Sequence, residues 1–328
     1  MNILEVKQLK TYFFTRRGIV KAVDDVSFDL QKGEVLCLVG ESGSGKTVSA
    51  LSILGLIDLP GRIMGGEVIF DGKDLRQYTP RQLRNIRGKR IAMIFQDPKE
   101  SLNPVFTIGV QIMEPMKIHL KLSDKETKEK ATSLLERVGI PKERFFSYPH
   151  ELSGGMNQRA MIAMALACDP EILIADEPTS ALDVTTQALF LEVLMDLKKE
   201  RGMSMIFITH DLGIVAEIAD RVVVMYAGRV MEKAEVTQIF ENPRHPYTIG
   251  LLNSLPNFTK KKKLMPIPGQ IPSLIDLRGC VFHTRCRFAK EICAKVILQE
   301  ATVDEGHLSA CLFHDSQEIV KASKEVGV

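Results

Sequence analysis

GESGSGKT, Gly40 to Thr47, is the stretch on which the reading of this chain turns. It follows the apolar run EVLCLV and leads into VSALSILGL, so it stands between a predicted strand and a predicted helix. That is the context the pattern G-x-x-x-x-G-K-[ST] requires. Glycines let successive backbone N–H groups turn toward phosphate oxygens, Lys46 brings a positive charge to the β- and γ-phosphates, and the Thr47 hydroxyl is placed to ligate Mg²⁺. Ser42, Gly43, Ser44 and Gly45 complete the loop that follows Gly40, and Val48 continues into the helix.

Downstream, ILIADEPTS ends an apolar strand on two adjacent acids, Asp176 and Glu177. One carboxylate there can hold the shell of a metal ion while the next polarises a water. Further buried strands are predicted at EVLCLVG, RIAMIFQ and MSMIFITH, the last closing on His210, and a hairpin at Arg221 to Ala234 with Ala227-Gly228 at its turn. Residues Gly65 to Leu75 carry turn residues around a short strand. Between about Pro98 and Ala165 helical periodicity takes over, as in DKETKEKATSLLERVGI with Leu134, Leu135 and Val138 on one face. The expectation is a mixed α/β core with an antiparallel portion and a helical insertion over about 98–165.

The composition fits an ordinary globular protein, with 45% apolar and 26% charged residues. Lys plus Arg exceed Asp plus Glu by only 43 to 41, which gives no basic field for nucleic acid. No apolar run approaches the roughly 20 residues of a membrane span, and MNILEVKQLK lacks the layout of a secretory signal, so a cytoplasmic chain is expected, tied to any membrane through other proteins. After Glu241 the composition shifts to proline-rich segments and four lysines at Lys260 to Lys263, read as a solvated loop. The boundary is placed there, giving a domain over 1–240 and an extension over 241–328.

The ordered set of motifs resembles the ATP-binding cassette (ABC) family of transporter ATPases over the first 240 residues. Beside GESGSGKT and ILIADE stand Gln96 at the Q-loop, LSGGM at Leu152 to Met156 as the signature, SALD at Ser180 to Asp183 as the D-loop and His210 as the switch histidine. The resemblance implies ATP as substrate, with Thr47, Gln96 and Asp176 around Mg²⁺, Glu177 as general base or water-positioning group, and His210 steadying the γ-phosphate. It puts Tyr12 against adenine. Ser153, Gly154 and Gly155 of the signature would cover the nucleotide of a second subunit, so two sites require a dimer; Met156 replaces the commoner glutamine but leaves the backbone donors.

NPRHPYT at Asn242 to Thr248 and IPGQIPSL look like the C-terminal extension of oligopeptide and dipeptide importer ATPases, and ELSGGMNQRAMIAMALA resembles the signature region of their D-type subunits. This implies two transmembrane permeases, a second, F-type ATPase or a homodimer, an extracytoplasmic solute-binding protein, and residence on the cytoplasmic face of the membrane. Nickel or another small solute is the alternative cargo; a soluble ABC ATPase acting on ribosomes or DNA repair complexes is the rival class. Four of six cysteines, Cys280, Cys286, Cys293 and Cys311, fall in the extension at C-x5-C-x6-C-x17-C. Related ATPases are described as carrying an iron–sulfur cluster on such cysteines, so a [4Fe–4S] cluster is expected with tetrahedral Zn²⁺ as the alternative. Arg278, Thr284 and Arg287 stand where that family usually has prolines. A structural staple for a small loop-rich module is the first role, redox control the sharper one.

Overall fold

The computed structural model describes residues 1–97, 101–180, 182–255, 266–275 and 278–326. The lysine run at Lys260 to Lys263 and the start of the helical insertion at Pro98 lie outside them. In chain order come β1 (Asn2–Thr15), β2 (Gly18–Gln31), β3 (Val35–Val39), α1 (Lys46–Ile53), β4 (Gly61–Phe70), β5 (Lys73–Asp74) and α2 (Pro80–Arg84). Next are β6 (Ile91–Ile94), α3 (Ile108–Leu120), α4 (Asp124–Arg137), α5 (Gly154–Ala165), β7 (Ile172–Asp176), α6 (Val184–Arg201) and β8 (Ser204–Thr209). The chain closes with α7 (Leu212–Ile218), β9 (Arg221–Tyr226), β10 (Arg229–Glu235), α8 (Val236–Glu241), α9 (Pro246–Asn253), β11 (Ala301–Asp304), β12 (His307–Ser309) and α10 (Gln317–Glu325). Two compact units emerge: 77–208 with 31–34 and residue 1, and 2–30 with 35–76 and 209–328.

In the first unit β6, β7 and β8 run parallel, from Ile91 opposite Ile172 to Asp176 opposite Ile208. ILIAD in β7 is buried throughout, as a parallel strand covered on both faces must be. Helix α4 starts on a reciprocal cap, in which Ser123 Oγ accepts from the Glu126 N–H and the Glu126 carboxylate accepts from the Ser123 N–H. Its buried Thr127, Ala131, Leu134 and Leu135 follow the helical period and pack with α3, which buries Ile108, Ile112 and Met116.

In the second unit β2, β1, β4 and β5 form a four-stranded sheet. β1 opposes β4 from Leu4–Phe70 to Phe13–Gly61, with a register irregularity between Lys7 and Lys10. β3 pairs in parallel with β9, and β9 turns into β10 through Ala227 and Gly228, both at positive φ as a tight hairpin turn of this hand needs. β12 then pairs along β10 and β11 along β12. Strands from the extension therefore cover an edge that β10 would otherwise expose, and the extension shares a compact unit with the Gly40–Thr47 loop. Among the described residues no helix is long and apolar enough to cross a membrane.

Candidate functional site

The second unit holds the phosphate loop. β3 ends at Val39 and α1 begins at Lys46, with Gly45 as its N-cap at φ 102°. A Cβ on Gly40 would sit 2.1 Å from the Met225 carbonyl oxygen and one on Gly45 2.5 Å from that of Ala22, so only glycine lets the loop lie this close to β2 and β9. Lys46 is buried, its Nζ donating to the carbonyls of Gly40 (2.7 Å) and Glu41 (3.0 Å) and to Ser44 Oγ (3.3 Å). The ammonium is thereby held inside the turn of its own loop, next to the backbone N–H groups that a phosphate would use. In the same unit His210 is exposed beyond the end of β8, and Asp211 caps α7 by accepting from the Gly213 N–H at 2.8 Å.

The first unit holds the acids. Asp176 ends β7 and is 2% exposed, and Glu177 follows at φ 43°, a conformation that costs a non-glycine residue of order 1 kcal/mol and concentrates at functional sites. The Glu177 N–H donates to the Ile208 carbonyl at 2.9 Å, which fixes the turn. Gln96 Nε2 donates to Glu177 Oε2 at 3.4 Å, so the structure brings together two of the expected site residues that are far apart in sequence. Ser153 is the N-cap of α5, its Oγ accepting from the Met156 N–H at 3.3 Å, with Gly154 and Gly155 as the first helical residues. These amides begin a helix and present partial positive charge to an anion. Asp183 caps α6 in the same way through the Thr186 N–H at 3.0 Å, and the Thr186 hydroxyl, donating at 2.7 Å, together with this N–H holds its carboxyl below the usual carboxylate range.

Tyr12 is placed differently from the adenine-facing position expected of it. In β1 successive side chains alternate, and Thr11 meets α1 through its hydroxyl contact with Ser52 at 2.7 Å. Tyr12 points to the other face, where its hydroxyl donates to Asp24 Oδ1 at 2.6 Å and Arg229 pairs with the same carboxylate at 2.7 Å. Phe13 shares the α1 side with Thr11. Period-two alternation separates these neighbours, and the Thr11–Ser52 contact fixes which of them faces α1.

The extension is anchored by a buried network that the sequence reading did not single out. Glu232 of β10 is fully buried and accepts from the N–H groups of Arg244 (2.5 Å) and His245 (3.0 Å) and meets His307 Nε2 at 2.7 Å. His245 caps α9, its Nδ1 accepting from the Tyr247 N–H at 3.1 Å; burial pushes its pKa down to about 4, against the pull of Glu232 and the Ala310 carbonyl. The signal for this network was the NPRHPY motif itself, with Arg244 and His245 at its centre.

Cys280, Cys286, Cys293 and Cys311 are free thiols that line one small cavity with His245, Phe282 and Phe288. Burial raises the pKa of Cys286 to about 11 and of Cys311 to about 12, with neighbouring thiols adding to the rise. The backbone N–H groups of Phe288 and Phe313 act in the opposite sense, as donors to sulfur do around thiolate-bound metal centres. Yet among the described residues no set of three or more His, Cys, Asp or Glu side chains is gathered to hold a single metal ion. Cys37 and Cys168 are buried in the core as expected.

Residues 23–180 match the ABC transporter family and residues 231–293 the oligopeptide/dipeptide transporter C-terminal region. The chain is 48% identical over 317 residues to the dipeptide transport ATP-binding protein DppD of Escherichia coli, covering 95% of this chain and 97% of that one. It is 50% identical over 315 residues to a probable peptide ABC transporter ATP-binding protein of Sinorhizobium fredii, covering 94% of each. Among solved structures, the dimeric bacterial ABC transporter cassette MJ0796 superposes with a TM-score of 0.65 at 28% identity, over 71% of this chain and 98% of that one. With half of its residues shared with such relatives over nearly its whole length, this chain belongs to the ATP-binding, ATP-hydrolysing subunits of the ABC transporter family.

Proposed function

We propose that this chain energises a membrane importer of dipeptides or oligopeptides. The observation that carries the reading is a phosphate loop and an extension of the oligopeptide/dipeptide type in one chain. Lys46, Thr47 and the amides of Gly40 to Val48 hold the ATP phosphates, and Ser153, Gly154 and Gly155 offer helix-start amides to the nucleotide of a second ATPase, of F-type in the cell. Thr47, Gln96 and Asp176 supply oxygen ligands for Mg²⁺, which neutralises charge developing on the phosphates. Glu177, oriented by Gln96, takes the proton of the attacking water or positions it, and His210 steadies the γ-phosphate. Phe13, which shares a strand face with Thr11, is the aromatic we assign to adenine.

In this reading residues 1–240 do the chemistry, and the helices within 98–165 pass closure and reopening of the ATPase dimer to two permeases. The chain is peripheral, on the cytoplasmic face, and receives solute only indirectly from an extracytoplasmic binding protein. Gentle detergent extraction of native membranes with this chain tagged, followed by identification of co-purifying proteins, tests the assignment. Two polytopic permeases and a second cassette ATPase are expected, with loss of peptide uptake when the gene is removed. Recovery only from the soluble fraction with ribosomal or DNA-repair partners would refute it.

For the extension we infer a [4Fe–4S] cluster on Cys280, Cys286, Cys293 and Cys311. The shared cavity and the backbone donors toward sulfur support it. Iron and acid-labile sulfide should accompany the anaerobically purified protein and be lost from Cys286→Ser. Stoichiometric zinc, or neither metal, would refute it.

A further inference from the structure

Arg285 lies in the loop between Cys280 and Cys286 and is 8% exposed. Each of its guanidinium nitrogens is engaged. Nε donates to the Pro268 carbonyl at 2.8 Å, Nη1 to Glu41 Oε2 at 2.6 Å and the Tyr226 hydroxyl at 3.2 Å, and Nη2 to Glu41 Oε1 at 3.0 Å and the Ile267 carbonyl at 3.4 Å. The contact with Glu41 is the two-pronged fork that a guanidinium makes with a carboxylate, on a side chain taken largely out of water.

Glu41 is the second residue of GESGSGKT and its only acid. Its backbone is held as well, for its N–H donates to the hydroxyl of the fully buried Tyr247 at 2.9 Å. Tyr247 comes from α9 in the NPRHPY motif and packs against Tyr226 and Phe282, with ring centroids 4.7 and 5.3 Å away. Both ends of Glu41 are therefore gripped by the extension, which begins some 200 residues later in the chain.

An ion pair between distant segments, here with its guanidinium buried and its carboxylate 31% exposed, is most often a tie that holds a fold together. Two features point further. The Glu41 carbonyl is one of the acceptors of Lys46 Nζ, so the position of Glu41 helps set where the phosphate-binding ammonium rests. And Arg285 neutralises a carboxylate that would otherwise stand, charged, on the loop meant for a triphosphate.

We propose that Arg285 and Tyr247 are positioning residues of the nucleotide site, fixing the phosphate loop through Glu41 so that the cysteine-bearing extension sets the affinity for MgATP. The proposal rests on Gly40 to Thr47 being the ATP phosphate loop. It gives the extension a direct line to the ATPase, because Cys286 follows Arg285 in sequence and a disturbance of the thiol site is felt at Glu41.

The test is equilibrium binding of the fluorescent analogue mant-ATP with Mg²⁺ to the full-length purified chain, read without hydrolysis and beside a melting curve. Arg285→Ala and Tyr247→Phe should each weaken binding by about fivefold to tenfold, the low end of couplings between linked sites. Arg285→Lys should recover part of the loss, and adding Glu41→Gln to Arg285→Ala should cost little more, since the two act through one contact. Arg287→Ala is the control: it stands just after Cys286 with its guanidinium 4.7 Å from the Phe288 ring, and its loss should leave affinity unchanged.

Tyr247→Phe keeps the ring packing and carries the test should Arg285→Ala not fold. Normal affinity in both Arg285→Ala and Tyr247→Phe beside a failing Lys46→Ala would overturn the proposal alone, as would equal weakening by Arg287→Ala. Normal binding by Lys46→Ala, or none by the wild-type chain, would overturn the phosphate-loop reading and the proposal with it.

Discussion

His245 makes the stability of this protein depend on acidity in a way that can be worked through. Its ring is 1% exposed, lines the thiol cavity, and uses Nδ1 to accept from the Tyr247 N–H at the start of α9. Burial depresses its pKa from 6.5 to about 4. A depressed pKa means that the unfolded chain takes the proton first. The neutral ring's contribution is fully present above pH 6.5 and is lost as pH falls toward 4. With 1.36 kcal/mol per unit, folding should lose about 2 kcal/mol between pH 7.5 and pH 5, and about 3 kcal/mol by pH 4, from this group. His245→Asn keeps a side-chain acceptor for the helix start and removes the titration. The variant should be less stable than wild type at pH 7.5, because the smaller side chain leaves space, but the gap should narrow by about 2 kcal/mol at pH 5. Urea unfolding can be followed in the tyrosine band of the near-ultraviolet circular dichroism. The chain has no Trp, and of its five tyrosines Tyr12, Tyr226 and Tyr247 belong to the unit that holds His245, with the Tyr247 N–H bonded to that ring, so the band carries the signal of that unit. A gap that stays constant from pH 7.5 to pH 5 would refute the reasoning.

Three further outcomes are expected. Glu177→Gln should lower ATP hydrolysis at least about a hundredfold, the scale of a lost general base, while mant-ATP still binds; turnover near wild type would remove Glu177 from the chemistry. Glu232→Ala orphans donors from Arg244, His245 and His307 together and should lower unfolding free energy by about 3 kcal/mol or more, seen as a drop in the urea midpoint. Tyr12→Phe should cost about 1 kcal/mol of stability through its lost bond to Asp24 and leave nucleotide affinity intact, whereas Phe13→Ala should weaken it; the reverse pattern would restore Tyr12 to adenine.

Local chemistry was the part of this protein that its sequence exposed most clearly. The turn at Gly40 to Thr47, the strand ending in Asp176, the hairpin at Ala227-Gly228 and the helix from Asp124 are each specified within a dozen residues, by glycine conformations, runs of buried aliphatics or helical periodicity. Tyr12 shows where such reading stops. An aromatic next to a strand can be named from sequence, but which of two neighbours faces α1 depends on a register that only the Thr11–Ser52 contact fixes.

The contacts of the extension show the same limit over a longer range. Composition marks a change near residue 241, and an appended module is the natural reading of proline, lysine and clustered cysteine. What composition does not carry is that β10 needs an edge partner and that β12 supplies it, drawing the thiol loop into the unit of the phosphate loop. Once that pairing forms, Arg285 has Glu41 at 2.6 Å, although 244 residues separate them. Neither residue looks special alone, since a glutamate in a glycine-rich loop and an arginine between cysteines both read as solvated charge. Their meaning comes from being paired, with the guanidinium of Arg285 out of water, which follows from sheet topology. A family pattern can identify an ATPase and still leave unread the route by which the rest of the chain acts on its nucleotide site.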